Sequence, residues 1–182
     1  MSAKRFDQFV TALTPGINAA IADLLPLEEG PAAALHQAMR YSVLTGGKRL
    51  RPALCIASFT IIGDNMKLVL PVACALEMVH AFTLVHDDMP CMDNDDLRRG
   101  APTTHKVFGE ATALLAGDAL HNLAYQVLAR HCADKLEPHT GSIIIQTFSK
   151  AVGKVCAGQM ADLNAENKEA DADLLRYIHE NK

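Results

Sequence analysis

Residues 71–88 are almost continuously apolar, yet Glu77, His80, Thr83 and Asp87 recur among them at spacings of three, three and four. On an α-helix those positions make one narrow stripe with apolar residues on both flanks. A surface helix carries a broad polar face, and a helix buried all round carries none. A thin polar stripe on a greasy helix is best explained by a cavity that the helix lines. The segment also ends on two acids, Asp87 and Asp88, which oppose the negative end of the helix dipole and call for a compensating cation. The chain must therefore supply further helices around one hollow.

The rest of the sequence agrees. Ala, Leu and Met are plentiful, aromatics are 5%, and hydrophobic residues are 49% of the 182. Alternating patterns are absent, so an all-α fold is predicted: a helical bundle around a central cavity. Proline and glycine are expected between helices rather than within them. Pro31 opens a helix that Gly46-Gly47 closes, Pro52 opens one ending at Gly63, and Pro71 opens a third. Further helices are expected over about residues 109–130, 138–152 and 154–165, and from Asp171 onward. Residues 109–130 hold Leu114, Leu115, Leu120, Leu123, Val127 and Leu128, a composition that predicts burial on more than one side. That demands more chain or a partner subunit. The last helix meets no stop signal before Lys182. The expectation is one domain of which residues 1–182 form the N-terminal part, its C-terminal helices missing.

Composition narrows the function. Lys+Arg 17 against Asp+Glu 21 gives a net charge of −4, with pI ≈ 6.0. This excludes a nucleic-acid binder that works by bulk charge. No apolar run is read as long enough for a membrane span, and the N-terminus does not read as a signal peptide. Five scattered cysteines without a Cys-x-x-Cys pair predict reduced thiols and a cytoplasmic protein.

Asp87, Asp88, Asp93, Asp95 and Asp96 fall within ten residues and are followed by Arg98 and Arg99. Such a donor set is all hard oxygen, which favours Mg²⁺ or Ca²⁺ over zinc. An EF-hand beginning at Asp93 fails, because the position that needs glycine is Arg98. Mg²⁺ takes few carboxylates and completes its shell with water and phosphate, and the arginines would pair with that phosphate. On a continuous helix Asp87 and Asp93 would face different ways, but Pro90 forbids one, and a break can return Asp93 to the Asp87 side. Upstream, Gly46-Gly47-Lys48-Arg49-Leu50-Arg51 can cradle a phosphate with backbone N–H groups and cations. It can also be a helix end with basic residues beside it.

Gly-Gly-Lys-x-x-Arg-Pro, then His80, then Asp-Asp-x-x-x-x-Asp with Arg-Arg-Gly, taken together, closely resemble the trans-isoprenyl diphosphate synthases, or polyprenyl synthetases, and among them the bacterial farnesyl type. Gly117-Asp118, Gly158-Gln159-x-x-Asp162 and Ile178-His179-x-x-Lys182 extend the resemblance to the end of the chain. It implies a Mg²⁺-dependent prenyltransferase joining isopentenyl diphosphate to dimethylallyl or geranyl diphosphate, usually as a homodimer. Asp87 and Asp93 match metal ligands, supported by Asp88. Lys48, Arg51, His80 and Arg99 match binders of isopentenyl diphosphate, and Arg98 and Lys182 match contacts to the allylic diphosphate. Gln159 and Asp162 would line the cavity, and Phe82, five residues before Asp87, would limit product length. Five residues is about 500°, so Phe82 does not share the Asp87 face whereas Thr83 does.

The sequence departs from the family in one respect. The second Asp-Asp-x-x-Asp segment is absent, and Asp171 and Asp173 cannot replace it, because i and i+2 on a helix face apart. The 182-residue chain is therefore expected to turn over poorly on its own. A non-catalytic regulatory subunit is the alternative. A metal phosphohydrolase built on His86-Asp87 fails on the spacing of its histidines. Bland readings are expected for His86 (a helix-end contact), Asp118 (satisfying helix termini or a buried network) and Cys91 (a loop residue).

Overall fold

The computed structural model describes residues 3–166 and 171–182. The protein is all-α. Among the described residues eight helices follow in order: α1 (Ala3–Leu24), α2 (Ala33–Leu44), α3 (Leu50–Phe59), α4 (Met66–Asp87), α5 (Thr104–Phe108), α6 (Glu110–Lys135), α7 (Pro138–Ala165) and α8 (Ala172–Asn181). Between α4 and α5 sit two strands of two residues each, β1 (Leu97–Arg98) and β2 (Ala101–Pro102). They pair antiparallel, Leu97 opposite Pro102 and Arg98 opposite Ala101. The chain divides into two compact units, residues 1–131 and 132–182.

In the first unit, Ile17, Ile21, Val43, Ile56 and Leu120 are at most 1% exposed and form a core with Ala73 and Cys74. It joins one face of each of α1, α2, α3, α4 and α6. At roughly 25 cal/mol per Å² of apolar surface removed from water, each large side chain here contributes about 1.5–3 kcal/mol. α4 is its central member. It starts at Met66, where the Asn65 side chain caps by accepting from the Lys67 N–H, not at Pro71 as expected. Pro71 lies early in the helix, where it forfeits one hydrogen bond that the cap and core packing outweigh. Pro15 lies inside α1 in the same way. The expectation that prolines and glycines only separate helices is thus overturned.

α4 also corrects the reading of the apolar runs. It is long and apolar enough to cross a membrane by length and composition, although half of that stretch is buried inside the protein. The expected break near Gly153 is not there either: α7 runs unbroken, since a single glycine weakens a helix by only about 1 kcal/mol. α6 extends past Arg130 to Lys135, and Leu114 and Leu115 on it are exposed, against the expected burial. All five cysteines are free.

In the second unit α8 returns against α7. Asp171 caps α8 by accepting from the Leu174 N–H at 2.7 Å. At Gly158 a Cβ would lie 2.5 Å from the Lys182 backbone nitrogen, so only glycine lets the end of α8 approach this closely.

Candidate active site

The first unit carries a cleft of about 540 Å³ lined by Gly47, Lys48, Arg49, Leu50, Arg51, Glu77, His80 and Arg99. Lys48, Arg51, His80 and Arg99 were singled out from sequence; they come from three separate segments and meet here. The α2–α3 loop supplies Lys48, the first turn of α3 Arg51, α4 His80, and the β1–β2 turn Arg99.

The β1–β2 turn explains how consecutive arginines part ways. Arg99 and Gly100 both take positive φ, 56° and 82°, as a two-residue hairpin turn of this hand requires. Arg99 swings to the cleft, where Nη1 donates to the Gly46 carbonyl at 2.9 Å and Nη2 lies 3.5 Å from His80 Nε2. Arg98 swings to the acids. It bonds Asp88 Oδ1 at 2.5 Å and Asp95 Oδ2 at 3.1 Å. Burial pushes the Asp88 carboxyl above its usual range while Arg98 pulls it back. The hydrogen bond that Arg98 donates to Asp88 in turn raises the Arg98 guanidinium pKa.

These contacts sort the five acids. Asp88 and Asp95 hold Arg98, and Asp96 holds Lys106 at 2.7 Å. Asp87 and Asp93 are the pair that the sequence marks as expected metal ligands. The chain turns sharply after α4, with Asn94 at φ 53°, so that the Asp93 N–H donates to the Asp87 carbonyl at 2.8 Å. The predicted return of Asp93 toward Asp87 is therefore present in the backbone. No three His, Cys, Asp or Glu side chains form a closed metal cage among the described residues. Two hard-oxygen carboxylates on adjoining backbone, with Arg98 close by in sequence, have the donor chemistry for a Mg²⁺ that would complete its shell with other oxygens.

His80 is the electrostatic key of the cleft. Burial, then the charges of Arg51, Arg99, Arg49 and Arg98, bring its pKa down to about 4. It is neutral at pH 7, so it can accept a hydrogen bond without adding to the repulsion among the arginines. Burial also lowers the Arg99 pKa, with Arg49, Arg98 and Arg51 adding to it and Glu77 opposing. A dianionic ligand would relieve this accumulation of positive charge.

Sequence reasoning counted Arg49 only among the basic residues that could cradle a phosphate; its side chain turns inward instead. It is 2% exposed, with φ 50°, and its two side-chain partners lie 31 and 28 residues away, on Asn18 and Glu77. No local signal could have exposed it. Phe82 packs edge-on to His86 and tilts against His121 of α6 at 4.9 Å, so its ring faces α6 and packs against the core. His86 Nε2 donates to the Leu114 carbonyl at 3.0 Å, consistent with the helix contact expected of it. Asp118 does not sit in a buried network as expected: its side chain is 63% exposed, 3.9 Å from His86. Cys91 is an exposed loop residue. In the second unit Asp162 is paired with Lys182, and Gln159 on the same face of α7 is half-buried. Asp173 pairs with Arg176, and Asp171 is committed to capping.

Together, fold and site define an all-α protein with a cationic cleft beside a carboxylate loop. Residues 32–182 match the polyprenyl synthetase family, to which the chain belongs. It is 42% identical over 184 residues to the farnesyl diphosphate synthase of Geobacillus stearothermophilus, covering all of this chain and 62% of that protein. To the chloroplastic heterodimeric geranylgeranyl pyrophosphate synthase large subunit 1 of Arabidopsis thaliana it is 43% identical over 183 residues, covering 97% of this chain and 49% of that one. The crystal structure of an FPP/GFPP synthase from Zymomonas mobilis superposes with a TM-score of 0.90 at 39% identity, over 98% of this chain and 66% of that one. The chain thus spans about half to two-thirds of the length of these relatives.

Proposed function

We propose that this chain carries the isopentenyl diphosphate half of a prenyltransferase site, which couples that substrate to dimethylallyl or geranyl diphosphate and yields a short, farnesyl-length product. The observation that carries the reading is the convergence of Lys48, Arg51, His80 and Arg99 on one cleft. Lys48 and Arg51 are exposed and would pair with phosphate oxygens. Arg99, already oriented by the Gly46 carbonyl, would add a planar donor set. Asp87 and Asp93 would hold Mg²⁺, which supplies neutralising charge to the diphosphate that leaves the allylic substrate. Arg98, fixed by Asp88 and Asp95, stands beside that loop to stabilise the same charge. By family likeness Lys182 is assigned to the allylic diphosphate, and Gln159, with Asp162, to the lining of the cavity. The exposed Leu114 and Leu115 support a homodimer, and the five free cysteines a reducing, cytoplasmic setting.

Isopentenyl diphosphate should bind the 182-residue chain in calorimetry and be lost in Arg51→Ala; equal binding by the two proteins would refute the reading. With geranyl diphosphate and Mg²⁺ added, turnover should be low, since the second aspartate-rich segment is not among these residues. Brisk formation of a longer diphosphate would refute that dependence.

A further inference from the structure

The α2–α3 loop has a backbone that most side chains resist. Gly46, Gly47 and Arg49 all take positive φ, at 78°, 122° and 50°. Glycine accepts this freely, but an arginine does not. Something must hold Arg49 there, and its side chain shows what. The guanidinium is buried and donates three bonds of 2.7 Å: to Asn18 Oδ1 on α1, Glu77 Oε1 on α4 and the Val43 carbonyl on α2. Lys48 and Arg51, on either side of Arg49, point outward as exposed residues of the cleft. Gly47 lies between two guanidinium groups. A Cβ there would stand 3.2 Å from Arg49 Nη1 and 2.5 Å from Arg99 Nη1.

Glu77 raises a second problem. It lines the cleft, is 2% exposed, and its Oε2 is buried without a hydrogen-bond partner. A carboxylate on the wall of an anion site has the wrong sign, and an incompletely bonded one is costly to bury. Contact with an anionic ligand cannot account for it; restraint of Arg49 can.

We propose that Arg49 and Glu77 are a positioning pair: without touching the diphosphate themselves, they pin the left-handed loop so that Lys48 and Arg51 face it. The inference rests on the reading of the cleft as a diphosphate site. It makes a prediction of opposite sign to simple electrostatics. Neutralising Glu77 removes negative charge from an anion site and would by Coulomb's law tighten binding. If Glu77 works through Arg49, the freed guanidinium leaves its pocket, the loop relaxes and binding weakens.

Inorganic diphosphate titrated calorimetrically into the 182-residue chain separates these outcomes, with a thermal melt run on each variant. Lys48→Ala should bind about tenfold more weakly; binding like the parent would fail the cleft reading itself. Glu77→Gln should bind about fivefold more weakly. Tighter or unchanged binding, with Lys48→Ala still weak, overturns the positioning role alone. Arg49→Met/Glu77→Leu replaces a buried ion pair with apolar volume, which commonly keeps or raises stability. Because Asn18 Oδ1 and the Val43 carbonyl lose their donor, it should melt cooperatively but somewhat below the parent, and bind about tenfold more weakly. A merely structural pair would instead leave affinity intact in this variant. Should the double variant fail to fold, Glu77→Gln carries the decision.

Discussion

Gly117→Ala tests how α6 is set against α4, the helix that ends at Asp87. An added Cβ at position 117 would lie 3.0 Å from His86 Cε1, with Nε2 and Cδ2 closer still. Real Cβ atoms do not approach so near, so His86 must move or the helices must part. His86 is not at liberty to move without loss. Its Nε2 donates to the Leu114 carbonyl, and its ring meets the edge of Phe82 at 5.7 Å. Overpacking of this kind costs about 1–3 kcal/mol, and the lost hydrogen bond adds about 1 kcal/mol. Alanine returns about 1 kcal/mol through helix propensity. The net is a loss of about 2 kcal/mol, or a drop in Tm of about 4–8 °C for a chain of this size. Urea denaturation of Gly117→Ala, His86→Ala and the double variant closes a cycle. Removing the ring removes the clash, so the double variant should be more stable than the sum of the two losses predicts, by about 1 kcal/mol or more. A Gly117→Ala protein as stable as the parent, or strict additivity, would refute the packing argument.

Three other perturbations bear on the site. Gly47→Ala places a side chain at φ 122° against Arg99 Nη1, so inorganic diphosphate should bind at least about tenfold more weakly at a strain cost of about 1–3 kcal/mol; unchanged affinity in calorimetry would count against the close approach. His80, at about 4 in the fold against 6.5 unfolded, takes up its proton more readily when unfolded. Its contribution to stability is therefore complete above about pH 6.5 and lost as pH falls toward 4, and urea midpoints across that window should slope less in His80→Gln than in the parent. Asp88→Asn leaves Arg98 with Asp95 alone; because Arg98 is part-exposed, the loss should be about 2 kcal/mol rather than the 3–5 of a fully buried broken pair, read by thermal melt, and an unchanged Tm would contradict the anchoring role of Asp88.

How far the site could be read from sequence depended on distance along the chain. The polar stripe on α4 announced a lined cavity, and His80 is indeed on a cleft wall. Pro90 announced the break that lets Asp93 fold back on Asp87. Lys48, Arg51 and Arg99 were legible as charges beside glycine turns. Arg49 was read with them as a surface cation, and its inward turn was not legible, because it is decided by Asn18 and Glu77, each about thirty residues away. The hairpin escaped notice although Arg99-Gly100 is its turn, since strands of two residues cannot show alternation. Gly153 and Pro71 misled for a shared reason: tertiary packing outweighs a helix-breaking residue when its cost is one hydrogen bond or about 1 kcal/mol.

The bond from the Asp93 amide to the Asp87 carbonyl has a corollary for how this loop can change. It is made by main-chain atoms and closes a ring over the intervening residues, of which Pro90 and Cys91 point to solvent. What the ring measures is residue count, not residue identity. Replacing Cys91 by another small polar residue should leave the two carboxylates where they are, whereas deleting a single residue between them should separate the acids even with every aspartate intact. The segment behaves as a gauge block: forgiving of its material, unforgiving of its length.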